Sequence, residues 1–156
     1  MIDELYSARI LKLAANLPHS GRLAAPEGTG ERVAKLCGSK AVVDVVLDGA
    51  GRVAAFAQDV KACALGQAAA GVLGEAVIGA TVGELETARD EMSAMLKAGG
   101  AGPTGRFEAL RALKQVADYP ARHASTMVAM EATLDAVRQA MARDRADTRT
   151  SLAGAA

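Results

Sequence analysis

"KAVVDVVLDGAGRVAAFAQDV", residues 40 to 60, decides the fold. Its first half is rich in β-branched valine, and Ala41, Val43, Val45 and Leu47 alternate onto one face, the period of a half-buried strand. "DGAG" at 48–51 is a turn, and "RVAAFAQDV" at 52–60 returns as the second strand of a hairpin. Upstream, "ERVAKL" at 31–36 reads as a short edge strand, and "NLPHSGRLAAPEGTG" at 16–30, punctuated by proline and glycine, as a loop. Ile2, Leu5, Tyr6, Ile10, Leu11 and Leu13 recur at near-helical spacing, which predicts an amphipathic helix over residues 2–15.

Downstream of the hairpin the periodicity becomes helical. The spacing predicts a helix from about Ala64 to Val77, then one opened by the capping box Thr81-x-x-Glu84 and running to about Lys97. "RFEALRALKQVAD" at 106–118 is a third helix of this half. Pro120 opens a fourth, along which Met127, Met130, Leu134, Val137 and Met141 make an apolar stripe. The fold class is therefore α+β: a small antiparallel sheet of two or three strands with helices packed on one face. Residues 1–143 are expected to form the single domain and 144–156 a flexible C-terminal tail.

Composition narrows the functions. The 156 residues are 51% apolar but hold only two Phe, two Tyr and no Trp, so the core must be built from Ala, Val, Leu and Met. Eighteen basic and eighteen acidic residues cancel, which gives no general electrostatic grip on nucleic acid or an anionic membrane. "MIDELYSARILKL" lacks the apolar run of a signal peptide, and residues 62–82, with four glycines, Gln67 and Glu75, read as a buried helix and turn in preference to a membrane span. With two cysteines and no export signal, the expected compartment is the cytoplasm, without a structural disulfide.

Those two cysteines are the strongest chemical signal. Cys37 precedes the first hairpin strand, and Cys63 lies where the return strand gives way to a helix. Pairing through the turn sets both at one end of the sheet. A thiol at a helix N-terminus feels the positive end of the helix dipole, and Lys61 adds a cation; both favour thiolate. A small buried thiol that merely packs is the competing reading. His123, at the start of the last helix, reads on its own as a surface residue. No Ser-His-Asp set, H-E-x-x-H pair or phosphate-binding glycine loop is present.

Three stretches together, "LYSARIL" (5–11), "LCGSKAVVDVVLDGAGRVAAFAQDVKACALGQAAAGVL" (36–73) and "EALRALKQVADYPARHASTMVAMEATLDAVRQA" (108–140), resemble the U-type iron–sulfur cluster scaffolds. These are the NifU N-terminal-like and IscU-like proteins, and the SufU-type branch is the most similar. The resemblance covers roughly residues 3–140 and implies zinc or a nascent iron–sulfur cluster held by three cysteines and an aspartate. It further implies sulfur received from a cysteine desulfurase and clusters passed to apo iron–sulfur proteins. Carried over by position, the first two cysteines are Cys37 and Cys63, the aspartate falls on Ser39 and the third cysteine on Ser125. A neutral hydroxyl is a poor substitute at either changed position. His123, two residues before Ser125, is the remaining candidate donor, although two residues on a helix are about 200° apart. Arg122 and Lys61 would supply supporting charge.

The resemblance implies a non-enzymatic scaffold, or a carrier of sulfur or iron, acting through Cys37 and Cys63. A homodimer sharing four thiolates would make up the ligand count. The alternative is a degenerate relative without metal chemistry that persists as an interaction module in the same pathway. A reversible Cys37–Cys63 disulfide is a third reading, disfavoured by the absence of C-x-x-C spacing.

Overall fold

The computed structural model describes the backbone of residues 8–35 and 38–155, and the side chains of 8, 10–35 and 38–143. Helix α1 (Ala8–Ala15) leads into strands β1 (Gly28–Ala34), β2 (Ser39–Leu47) and β3 (Val53–Lys61). Helices α2 (Ala64–Ala76) and α3 (Val82–Ala98), a 3-10 segment (Gly105–Asp118), a short 3-10 turn (Pro120–Arg122) and α4 (His123–Ala155) follow. The sheet is antiparallel in the order β1-β2-β3. Val43 faces Gly30 on one side and Gln58 on the other, so the alternation of β2 sends Ala41, Val43 and Val45 into the core, each fully buried.

The expected edge strand exists but starts earlier, at Gly28 instead of Glu31. Packing explains the difference. A Cβ at Gly28 would fall on the carbonyl oxygen of Ala136, and one at Gly30 on that of Ala132. "GTG" is thus the part of β1 where backbone lies directly against α4, and side chains are what that contact excludes. The outer edges are blunted on both sides. Thr29 donates its N–H to Gln139 Oε1 at 2.6 Å, and Ser20 bridges β3 at Gln58.

Helix α2 is the centre of the core. Residues 65, 66 and 68–74 are all buried, so it shows no polar face, as its Ala/Gly content requires of a helix contacted by α1, α4 and the 3-10 segment. The Thr81–Glu84 capping box is present in both directions, and Gly99 ends α3 in the left-handed conformation at φ 72°. Arg106 donates to the carbonyls of Ala76 and Ile78 and to Glu84, which satisfies groups left over where α2 ends.

One expectation changes in detail. The third helix is a 3-10 segment, and its sequence carries the reason: Phe107, Leu110, Leu113 and Val116, all buried, repeat every third residue. At 3.0 residues per turn they form one line, whereas on an α-helix Val116 would stand about 180° from Phe107. Helix α4 runs through Ala155. Residues 2–7 of the expected first helix lie outside the described residues. No helix among the described residues is long and apolar enough to cross a membrane.

Candidate functional site

The hairpin register pairs Lys40 with Lys61, which brings the start of β2 and the end of β3 to one rim of the sheet. Gly38, at φ 71°, turns the chain into β2 and sets Ser39 at the strand's first position. Across the rim, Cys63 is the N-cap residue of α2, with extended backbone angles and no side-chain capping bond of its own. The first turn of α4 carries Ser125 to the same point. Gly66 permits that approach, because a Cβ there would lie 2.8 Å from the Ser125 carbonyl oxygen.

Three side chains consequently meet. Cys63 Sγ lies 3.3 Å from Ser125 Oγ, and Ser125 Oγ lies 2.8 Å from Ser39 Oγ. Both serines are buried, at 3% and 0% exposure, while Cys63 is half-buried at the lip of an open depression of about 330 Å³. Burial pushes the Cys63 thiol up. The Ser125 hydroxyl, the helix-terminal amides of Gly66 and Leu65 and the nearby Arg122 pull it down and outweigh burial, so the thiol titrates below an ordinary cysteine. The helix-opening position sets this sulfur near the first amides of α2 and the positive end of its dipole, without a capping hydrogen bond.

The other candidates sort cleanly. Lys61 lines the depression and is exposed, and Arg122 is the cation that helps hold the Cys63 thiol's pKa down. Cys37 lies outside the described residues. His123 is engaged elsewhere: its Nε2–H donates to the carbonyls of Val116 at 3.0 Å and Ala117 at 3.3 Å, so that nitrogen has no lone pair to offer a metal. It lines a separate groove with Arg32, Lys97 and Glu131. Sequence reasoning missed Gln67, which stands on the wall of the Cys63 depression and donates to the Val60 carbonyl at 3.0 Å. Its position one helical turn after Cys63 was the available signal.

The donor set can be tested against a resident metal. Zinc takes four nitrogen, thiolate or carboxylate donors. Around Cys63 the described residues supply one sulfur and two neutral hydroxyls, and those hydroxyls are already bonded to each other. No group of three or more His, Cys, Asp or Glu among the described residues is arranged to hold a metal ion. The described residues do not by themselves make up a zinc site.

Comparison with known proteins places this geometry. Residues 5–143 match the family described as NifU-like N terminal domain. The crystal structure of a nitrogen-fixing NifU-like protein (N-terminal) from Brucella abortus is 46% identical, with a TM-score of 0.86 over 90% of this chain and 96% of that one. A putative iron–sulfur cluster assembly scaffold protein for the SUF system from Fervidobacterium islandicum AW-1 shares the fold. Its TM-score is 0.77 at 20% identity, over 85% of this chain and 96% of the other. No curated protein matches the sequence.

Proposed function

Because the chain belongs to the NifU-like N-terminal domain family, we propose that it is a binding protein of iron–sulfur cluster assembly. Its cargo, sulfur or a nascent cluster, is carried on Cys63 and Cys37, without catalysis of its own. The observation that carries this reading is the Cys63 sulfur itself: half-buried, open to a depression, set at the N-terminus of α2 and 3.3 Å from the Ser125 hydroxyl. A cysteine that only filled space would not need an open depression beside its sulfur and a buried hydroxyl bonded to it.

Sulfur uptake follows from that setting. The Cys63 thiolate attacks the outer sulfur of a donor persulfide on a cysteine desulfurase. One S–S bond forms as another breaks, the donor cysteine leaves as thiolate, and no net electrons are exchanged. The donors around Sγ then hold the charged persulfide. Apo iron–sulfur proteins are the onward recipients in this reading.

Anaerobic incubation with a cysteine desulfurase and cysteine, followed by intact mass measurement, tests it. The expected result is a mass increment of sulfur on the wild-type chain that is lost in Cys63→Ala. Absence of the increment from wild type would contradict it. A second reading, an interaction module without cargo, is favoured by the two serines at Ser39 and Ser125. It predicts desulfurase binding in a pull-down with no sulfur transferred.

A further inference from the structure

We infer that within a single chain the Cys63 centre is closed to a resident divalent metal, and that Ser39 and Ser125 are the residues that close it. The inference rests on the cargo reading above and narrows what one chain holds there to sulfur.

Donors and charge decide the matter. A metal ligand must present a lone pair, and thiol or carboxyl ligands do so after losing a proton; a serine hydroxyl keeps its proton at neutral pH. Here the two hydroxyls are buried and spent on one hydrogen-bonded chain, Ser39–Ser125 at 2.8 Å and Ser125–Cys63 at 3.3 Å. A cation entering between them would break that chain and gain two neutral oxygens in return. The sulfur stands at the N-terminus of α2 with the Ser125 hydroxyl 3.3 Å away, a setting of helix dipole and neutral donor that favours an anion over a cation. Among the described residues, the depression beside it is lined by Lys61 and Gln67 and by no carboxylate. Even with both of its cysteines, the chain supplies at most two thiolates. The centre is therefore built to keep a sulfur anion, and two of the four positions that a tetrahedral metal needs are neutral and already bonded.

The experiment is zinc retention. Wild type, Cys63→Ala, Ser125→Cys and the double variant Ser39→Asp/Ser125→Cys are mixed with zinc ion, passed through gel filtration and measured for metal per chain, with circular dichroism confirming the fold. The expected result is wild type close to empty and the double variant rising to about one zinc per chain. If the buried carboxyl introduced by Ser39→Asp prevents folding, Ser125→Cys alone decides, by retaining more zinc than wild type. One zinc per wild-type chain, lost in Cys63→Ala, overturns the inference. So do folded serine variants that stay as empty as wild type, because the serines would then not be what closes the site. Sulfur uptake by mass on the same samples keeps the two ideas apart. An empty wild type that takes no sulfur counts against the cargo reading and leaves metal exclusion standing.

Discussion

Replacing Gly66 with alanine sets two effects of known sign against each other. In the first turn of α2, Gly→Ala gains up to about 1 kcal/mol from propensity. Against that, the new Cβ would stand 2.7 Å from Ala62 Cβ, 2.8 Å from the Ser125 carbonyl oxygen and 3.0 Å from Ser125 Oγ. Two of those atoms are backbone or Cβ and cannot swing aside. Overpacking of this kind costs about 1–3 kcal/mol, and a rigid neighbour places it in the upper part of that range. The net expectation is a loss of about 1–2 kcal/mol, or a Tm lower by roughly 2–8 °C for a chain of this size. Thermal melts followed by circular dichroism read it directly. Gly83→Ala in the first turn of α3 is the matched control, because only Thr81 Oγ1, at 3.9 Å, lies near the added methyl. That variant should be neutral or more stable by up to about 1 kcal/mol. A second readout concerns the site, since displacing Ser125 withdraws a donor from Cys63 and slows its alkylation near neutral pH. A Gly66→Ala protein that melts at or above wild type would refute the claim that this glycine is what lets α4 reach the thiol.

Ser125→Ala, made in a Cys37→Ala background so that one thiol remains, should shift the pH profile of iodoacetamide alkylation to higher pH. It removes a donor that lowers the Cys63 pKa and leaves the burial that raises it; an unmoved profile would contradict the assigned cause. Gly30→Ala should destabilise by about 3 kcal/mol through collision with the Ala132 backbone, while Gly49→Ala, with open space around it, should stay within about 0.5 kcal/mol in the same urea melts. Asp44 is fully buried and accepts from Arg22 Nε at 2.6 Å, Arg22 Nη2 at 3.0 Å, Thr29 Oγ1 at 2.7 Å and the Leu23 amide at 3.0 Å. Burial pushes its carboxyl up and these donors carry it below the usual carboxylate range. Its stabilisation is therefore present above the unfolded pKa and lost as pH falls through it towards the folded value. Asp44→Asn should cost about 2–3 kcal/mol at pH 7, with the gap to wild type closing below about pH 4 in urea midpoints taken across pH.

The hairpin is legible in the sequence because Ala41, Val43 and Val45 alternate against a D-G turn, and both signals are local. The rim location of Cys63 follows from the same register. The length of β1 is hidden, because Gly28 and Gly30 look like loop residues until α4 is seen lying across them. The period of three in Phe107, Leu110, Leu113 and Val116 is visible in the sequence, yet over so short a stretch it passes for ordinary helix. Asp44 reads from the sequence as a polar interruption of a valine strand, since Arg22 and Thr29, its partners, come from the preceding loop and from β1. Ser39 and Ser125 have no signature of their own. They are candidates only through resemblance to a family, and their 2.8 Å contact is a property of three elements folded together.

On this account the sulfur at the mouth of α2 is kept for binding sulfur instead of anchoring a metal. The most direct measurement takes protein purified without air or chelator and determines metal per chain and sulfane sulfur per chain on one sample. The account predicts sulfane sulfur mapped to the peptide containing Cys63, with far less than one metal ion per chain. One zinc or iron per chain and no sulfane sulfur at Cys63 would contradict it.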